Sequence, residues 1–318
     1  MKKFILMFLV FAFLGVSASA QQQMQLQLDR TDPARTRVGA LEFRGAVVVP
    51  PGPDKVGGLS GLWVAPGGRE LVALSDSGRV YKGTLTWANN RLAGVRFDRG
   101  QKLVDENGQP VTGRARFDAE ALVHRKDGSW LVAFERDHRI EQYKDFSIAP
   151  VPFVLPPGLS PLPRNQGLEA LTELPDGRLF AIAEAAGSDG MHSAWLWQSG
   201  NWLKLNYQPA AGLRPSDMAS LPNGDVLVLE RWFNVFYGFR IRIARLDGRD
   251  LREGSSVAAQ TLAELESPMI TENFEAISTE TLQDGTVRIY LSSDNNFNAA
   301  QQTILAVFDL SPDSPPSR

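Results

Sequence analysis

The chain has 318 residues, with 33 Lys and Arg against 36 Asp and Glu, and no cysteine. Its 43% hydrophobic and 22% charged content supports a large buried core and excludes a disordered chain. A net charge of −3 offers no basic field for nucleic acid, and the lack of Cys excludes disulfides, thiolate metal sites and Cys nucleophiles.

In chain order, Lys2 and Lys3 precede an apolar run from Phe4 to Val16 and the small residues Ala18 and Ala20. This is the pattern of a signal peptide cleaved after Ala20, and the run is short for a bilayer span. The mature chain would have 298 residues, a charge of about −5 and no membrane span. Export without cysteines fits a bacterial periplasm or secretion. Residues 21–40 read as a polar lead-in, residues 41–310 as one domain, and residues 311–318, with Pro312, Pro315 and Pro316, as a frayed tail.

Within the domain a pattern recurs: a polar anchor, a strand, a Gly turn, then an apolar strand ending in an acid. The first copy runs Gly58-Leu59-Ser60-Gly61-Leu62, turn Gly67-Gly68, strand Leu71 to Leu74, acid Asp76. The second runs Phe117-Asp118-Ala119-Glu120-Ala121-Leu122, turn Asp127-Gly128, strand Trp130 to Phe134, acid Glu135. Pro150 to Pro163, with six prolines, reads as a rigid connection between repeats. The third copy runs Asn165 to Leu171 around Glu169, turn Asp176-Gly177, strand Leu179 to Ala183, acid Glu184. The fourth runs Ser216-Asp217-Met218-Ala219, turn Asn223-Gly224, strand Val226 to Leu229, acid Glu230. The fifth runs Asn273-Phe274-Glu275-Ala276-Ile277, turn Asp284-Gly285, strand Val287 to Leu291, acid Asp294. Helix signals are weak, with at most one turn at Ser267 to Glu272.

The anchors Ser60, Glu120, Glu169, Asp217 and Glu275 are 60, 49, 48 and 58 residues apart. Multi-stranded repeats of roughly 50 residues are the mark of propeller blades. Asp-Gly and Asn-Gly pairs supply the positive φ that tight hairpins need. The expected fold is all-β, a single six-bladed β-propeller. Its sixth blade is built from strands at both termini, Leu41 to Val49 and Thr303 to Leu310, which leaves no open sheet edge.

If the repeats superpose, Glu120, Glu169, Asp217 and Glu275 meet near the axis, and Asp76, Glu135, Glu184, Glu230 and Asp294 form a second set. Packed carboxylates repel unless a cation or an Arg neutralises them. Arg136 and Arg231 directly follow two of the acids, and Arg79 is near a third. With only three histidines, a metal would rest on oxygen ligands, which suits a divalent cation such as Ca²⁺. The expected metal ligands are all nine acids, with Glu120 and Glu275 catalytic and Arg136 and Arg231 binding an anionic substrate group. A competing reading makes the acids staples between blades. Asn295, Asn296 and Asn298 can add amide oxygens, or serve as ordinary loop residues. His138 is the one histidine placed near the channel mouth. Trp195, Trp197, Trp202, Trp232 and Phe233 read as blade core, the last two beside an inner acid. No Gly-x-Ser-x-Gly elbow, Walker loop or dinucleotide loop is present.

Ser75-Asp76-Ser77-Gly78, Phe117 to Leu122, Asn165 to Leu171, Asp217-Met218-Ala219, Val228-Leu229-Glu230-Arg231, Asn273 to Ile277 and Ser293 to Phe297 occur in an order that resembles the phytase-like domain described as having esterase-like activity. The resemblance spans about Gly57 to Leu310 and implies an exported bacterial propeller that hydrolyses ester or phosphoester bonds. The catalytic motifs of alkaline propeller phytases are not matched residue by residue. The architecture is also similar to lactonase propellers, which hold an axial Ca²⁺ with Glu, Asp and Asn. The expected protein is therefore a monomeric, Ca²⁺-assisted hydrolase of a small anionic or ester substrate. The alternatives are a non-catalytic ligand- or protein-binding propeller of the envelope and a lactonase-like propeller.

Overall fold

The computed structural model describes residues 23–51 and 55–312. The signal peptide, the first residues of the lead-in and most of the tail expected from the sequence fall outside them. The repeats fold into five sheets whose innermost strands pack against one another around an axis, the first against the fifth. Blade 1 comprises Leu59–Val64, Glu70–Ser75, Arg79–Ala88 and Arg91–Phe97. Blade 2 comprises Ala119–His124, Trp130–Phe134, Arg139–Tyr143 and Val151–Phe153. Blade 3 comprises Leu168–Glu173, Leu179–Ala186, His192–Gln198 and Asn201–Gln208, with Ser256–Ala258 added in parallel at its edge. Blade 4 comprises Arg214–Ser220, Val226–Asn234, Gly238–Leu246 and Gln260–Leu265.

The propeller has five blades, not the six expected, and the terminal strands explain the difference. Ile304–Leu310 pairs with Val287–Ser293, and Leu41–Val48 pairs with Ile304–Leu310. The fifth repeat supplies only its inner strands, starting at Phe274–Thr281, before the chain nears its end. The N-terminal strand completes that same sheet and leaves nothing for a sixth.

The second strand of each blade is apolar on both faces because it is sandwiched between neighbours. Leu131 and Ala133 pack toward blade 3, while Val132 and Phe134 pack toward blade 1. This follows from the two-residue alternation of a strand. Five apolar clusters result, one per blade interface. Each fully buried Leu or Phe in them contributes about 1.5–3 kcal/mol. The Gly turns behave as read: Gly128, Gly177, Gly224 and Gly285 all have φ between 82° and 93°. Among the described residues, helix is confined to Arg114–Phe117 and a single 3-10 turn at Gly248–Asp250. Ser267 to Glu272 forms a turn, not a helix, with Met269 bridging to Asp29. None of the described helices is long and apolar enough to cross a membrane.

Candidate functional site

Each innermost strand carries an irregularity near its start. In blade 2, Ala119 opposes Phe134 and Ala121 opposes Ala133, so Glu120 is the extra residue. By the same register, the extra residues are Ser60, Glu169, Ser216 and Glu275 in the other blades. An extra residue bends the strand and re-aims its side chain. Three blades thus direct a glutamate from the same position. The other two carry serines: Ser60 Oγ donates across to the Ala119 carbonyl of blade 2 at 2.5 Å, and Ser216 Oγ lies between the Leu229 carbonyl of its own blade at 3.3 Å and the Phe274 carbonyl of the fifth at 3.4 Å.

The second set follows the same logic. The backbone N–H groups of Asp76, Glu135, Glu184 and Asp294 donate to the carbonyls of Gly58, Asp118, Gly167 and Asn273, at 2.7–2.8 Å. In blade 4, Glu230 opposes Pro215 and Arg231 opposes Arg214, so the position equivalent to these acids is Arg231. The sequence reading of the fourth repeat is one residue out of step, for Asp217 and for Glu230 alike. Because side chains alternate, a one-residue slip moves a group to the other face.

Both displaced acids serve the scaffold. Asp217 is buried and accepts from the Ile277 N–H of blade 5 at 2.8 Å. Burial alone raises its carboxyl well above the ordinary range. Glu230 is wholly buried, paired with Arg242 at 2.7 Å, and accepts from the Tyr207 hydroxyl at 2.5 Å. For these two, the staple reading is the one that fits.

The remaining acids meet at one end of the channel. Asp118, Glu120 and Glu135 can each bring a carboxylate oxygen within 4.8 Å of the others, and so can Glu135, Glu169 and Glu184. Asp118 was quoted in the second repeat but not read as a site residue; its place two residues before Glu120 is the signal that marks it. Burial and the charges of Glu169, Glu275, Glu135 and Asp118 raise Glu120 well above the ordinary carboxylate range. Burial, then Glu184 and Glu135, does the same to Glu169, with Arg231 opposing. Burial pushes Glu135 up to about 7, aided by Glu184 and Asp118 and opposed by the Gly167 N–H at 3.0 Å and by Arg136. Across the mouth, burial and Glu275, with Asp76 beyond, push Asp294 up to about 8.

The cations lie among these acids. Arg231 pairs with Glu275 at 2.8 Å. Burial works against its charge, but Glu275, Glu169, Glu184 and Asp294 hold its pKa above the usual arginine value. Arg136 pairs with Asp118, and Arg214, which the sequence reading missed, lies 3.4 Å from Glu184. Asn273 is almost wholly buried; its amide N–H donates to Glu275 at 3.0 Å, and its Oδ1 has no partner. His138 is beside the acids: a Cβ on Gly167 would lie 2.6 Å from its Nδ1 and 3.2 Å from Cγ of Glu135. Asn295 and Asn298 accept from loop N–H groups of Gly58 and Ala300, and Asn296 bonds to Gln301. These three behave as loop residues.

The other two histidines are elsewhere. His124 packs at a tilt against both Trp63 and Trp130, with ring centroids 4.4 and 4.3 Å away, and the two tryptophans meet edge to face at 5.3 Å. It lines a cavity of about 180 Å³ at the opposite end of the channel, together with Thr172, Ser220 and Ser278. His192 is buried against the Ala183 carbonyl. Of the expected core aromatics, Trp195 and Trp202 are buried, but Trp232 and Phe233 are exposed.

The family model described as "Phytase-like: Esterase-like activity of phytase" matches residues 54–297, which contain every acid at this mouth. The chain belongs to the phytase-like family. Similar solved structures include a gluconolactonase of Xanthomonas campestris, at 12% identity and TM-score 0.44, covering 86% of this chain and 91% of that one. Virginiamycin B lyase of Staphylococcus aureus is 12% identical with TM-score 0.40, covering 83% and 69%. The Malassezia sympodialis allergen Mala s 1 is 14% identical with TM-score 0.43, covering 85% and 89%. No curated protein matches the chain.

Proposed function

We propose that this phytase-like chain is an exported, monomeric hydrolase of ester or phosphoester bonds, assisted by a divalent cation at the acidic mouth. The observation that carries the reading is the convergence of Asp118, Glu120, Glu135, Glu169 and Glu184 into two overlapping carboxylate trios beside Arg231. The donor set is all oxygen, which fits Ca²⁺ best and Mg²⁺ next. The raised carboxyls support a cation, since positive charge there relieves their mutual repulsion. When bound, such an ion polarises an ester carbonyl or phosphoryl oxygen and lowers the pKa of water.

The remaining chemistry belongs to the chain. Arg231 presents a guanidinium to an anionic group of the substrate, held in place by Glu275. Arg136 offers a second cation, steadied by Asp118. Burial and the neighbouring acids hold the Glu120 proton to higher pH only while the site is free of metal; with a cation bound that proton is released, so Glu120 acts as a carboxylate that shares in holding the ion and orients the attacking water.

The test is turnover of an ester and phosphoester panel in EDTA and then in Ca²⁺, Mg²⁺ or Mn²⁺. Cation-dependent hydrolysis is expected, with kcat reduced at least about 100-fold by Glu120→Gln in protein that still unfolds cooperatively. Full activity in both Glu120→Gln and Glu275→Gln would overturn the assignment. Saturable binding with no turnover would turn it toward a binding propeller.

A further inference from the structure

Blade 4 carries the longest paired hairpin at the acidic mouth; blade 3 adds a single pair past Glu184, Ala186 with His192. In blades 1 and 2, pairing between the second and third strands ends at Ser75 with Arg79 and at Phe134 with Arg139. In blade 4, pairing continues past Glu230 through Arg231 with Ile241, Trp232 with Arg240, Phe233 with Phe239 and Asn234 with Gly238. This hairpin stands out beyond the mouth, and its surface is aromatic. Phe236 is 87% exposed, Val235 78%, Tyr237 75% and Phe233 56%. From residue 231 to 240 the only charged side chains are Arg231, paired with Glu275, and Arg240, paired with Glu264 at 2.7 Å. The tip is an ordered turn: Asn234 Oδ1 accepts from the Phe236 N–H at 2.9 Å, and the Asn234 carbonyl from the Tyr237 N–H at 3.2 Å.

Strand alternation puts Phe233 on the same face as Arg231, one step (about 6.5 Å) farther out. Arg231 on that face reaches Glu275 in the mouth, and the Phe233 ring is 4.6 Å from that of Phe239. A cation inside and an aromatic wall outside therefore share one continuous surface. Exposed apolar surface of this kind marks a binding site, and a rigid hairpin presents it without an ordering cost. The neighbouring carboxylates repel an anionic bilayer or the same face of a second copy. A small molecule is narrow enough to set an anionic or ester head on Arg231, the guanidinium on the same strand face as Phe233, while its apolar body lies on the aromatic wall.

We infer that the 231–240 hairpin is the specificity wall of the site and selects substrates whose scissile group carries an aryl or long acyl body stacked on Phe233 and Phe239. This rests on the hydrolase reading for the reacting head group, but the wall is testable by binding alone. Calorimetric titration of the full chain in Ca²⁺ with phenylphosphonate and methylphosphonate compares an aryl and a minimal anion. Phenylphosphonate is expected to bind at least about tenfold tighter. Phe233→Ala should bring the two within about twofold and leave methylphosphonate affinity unchanged. Because Phe233 packs on Phe239, the more exposed Phe236→Ser serves as a second variant, expected to reduce the preference without changing thermal unfolding. Equal affinity in the wild-type protein, or no binding of either phosphonate, overturns the inference. So does sedimentation with phosphatidylglycerol vesicles, or a dimer abolished by Phe236→Ser, in the absence of an aryl preference. Aryl preference with no turnover on any ester would sink the hydrolase reading and keep the wall; turnover indifferent to aryl size would do the reverse.

Discussion

Glu135→Gln separates a strained carboxylate cage from a set of blade staples. Glu135 is buried, its Oε1 accepts from the Gly167 N–H at 3.0 Å, and Glu184 and Asp118 lie beside it. In the cation-free protein its carboxyl is pushed from an ordinary 4.5 up to about 7. Between those values the folded chain holds a proton that the unfolded chain has released, so stability falls as pH rises through that window. The displacement corresponds to about 3 kcal/mol, part of which is shared with its coupled neighbours. A glutamine keeps an oxygen for Gly167 and adds an amide N–H for the adjacent carboxylates. In urea unfolding with EDTA, the variant should match the wild type near pH 4.5 and exceed it by about 1–3 kcal/mol at pH 8.5. Calcium at about 1,000 times its dissociation constant should reverse the order, because the wild type then gains about 4.1 kcal/mol while the variant has lost a ligand. A variant less stable than the wild type at pH 8.5 in EDTA would refute the reasoning and make Glu135 a staple.

Glu230→Ala strands the buried Arg242 guanidinium and should cost about 3–5 kcal/mol in thermal unfolding, with Ca²⁺ response and turnover retained in the folded fraction. Loss of the Ca²⁺ response in folded protein would return Glu230 to the site. Removing residues up to Val48 exposes the edge of Ile304–Leu310, and the chain should lose its native circular dichroism or aggregate. A soluble, cooperatively unfolding product would show that the last blade stands without its N-terminal strand.

The acids at the mouth were legible because they recur at blade spacing beside tight-turn signals. The fourth repeat misled, since Asp217 and Glu230 look like the counterparts of Glu169 and Glu184. Only the strand register shows that Ser216 and Arg231 hold those positions. Trp232 and Phe233 read as core because aromatic strand residues usually are, yet their hairpin runs past the blade into solvent.

Local chemistry determined that this chain forms repeated units of several strands, with apolar second strands, glycine turns and, in four of the five repeats, an acid at or just after the end of that strand. Those features depend on residues close together in sequence, through turn geometry and two-residue alternation. The number of blades and the cation among the acids depended on pairing between distant segments: Leu41–Val48 with Ile304–Leu310, and Arg231 of blade 4 with Glu275 of blade 5. A sequence pattern specifies a strand and its faces but not the partner beside it. A one-residue difference in register moves a carboxylate from the channel into the scaffold.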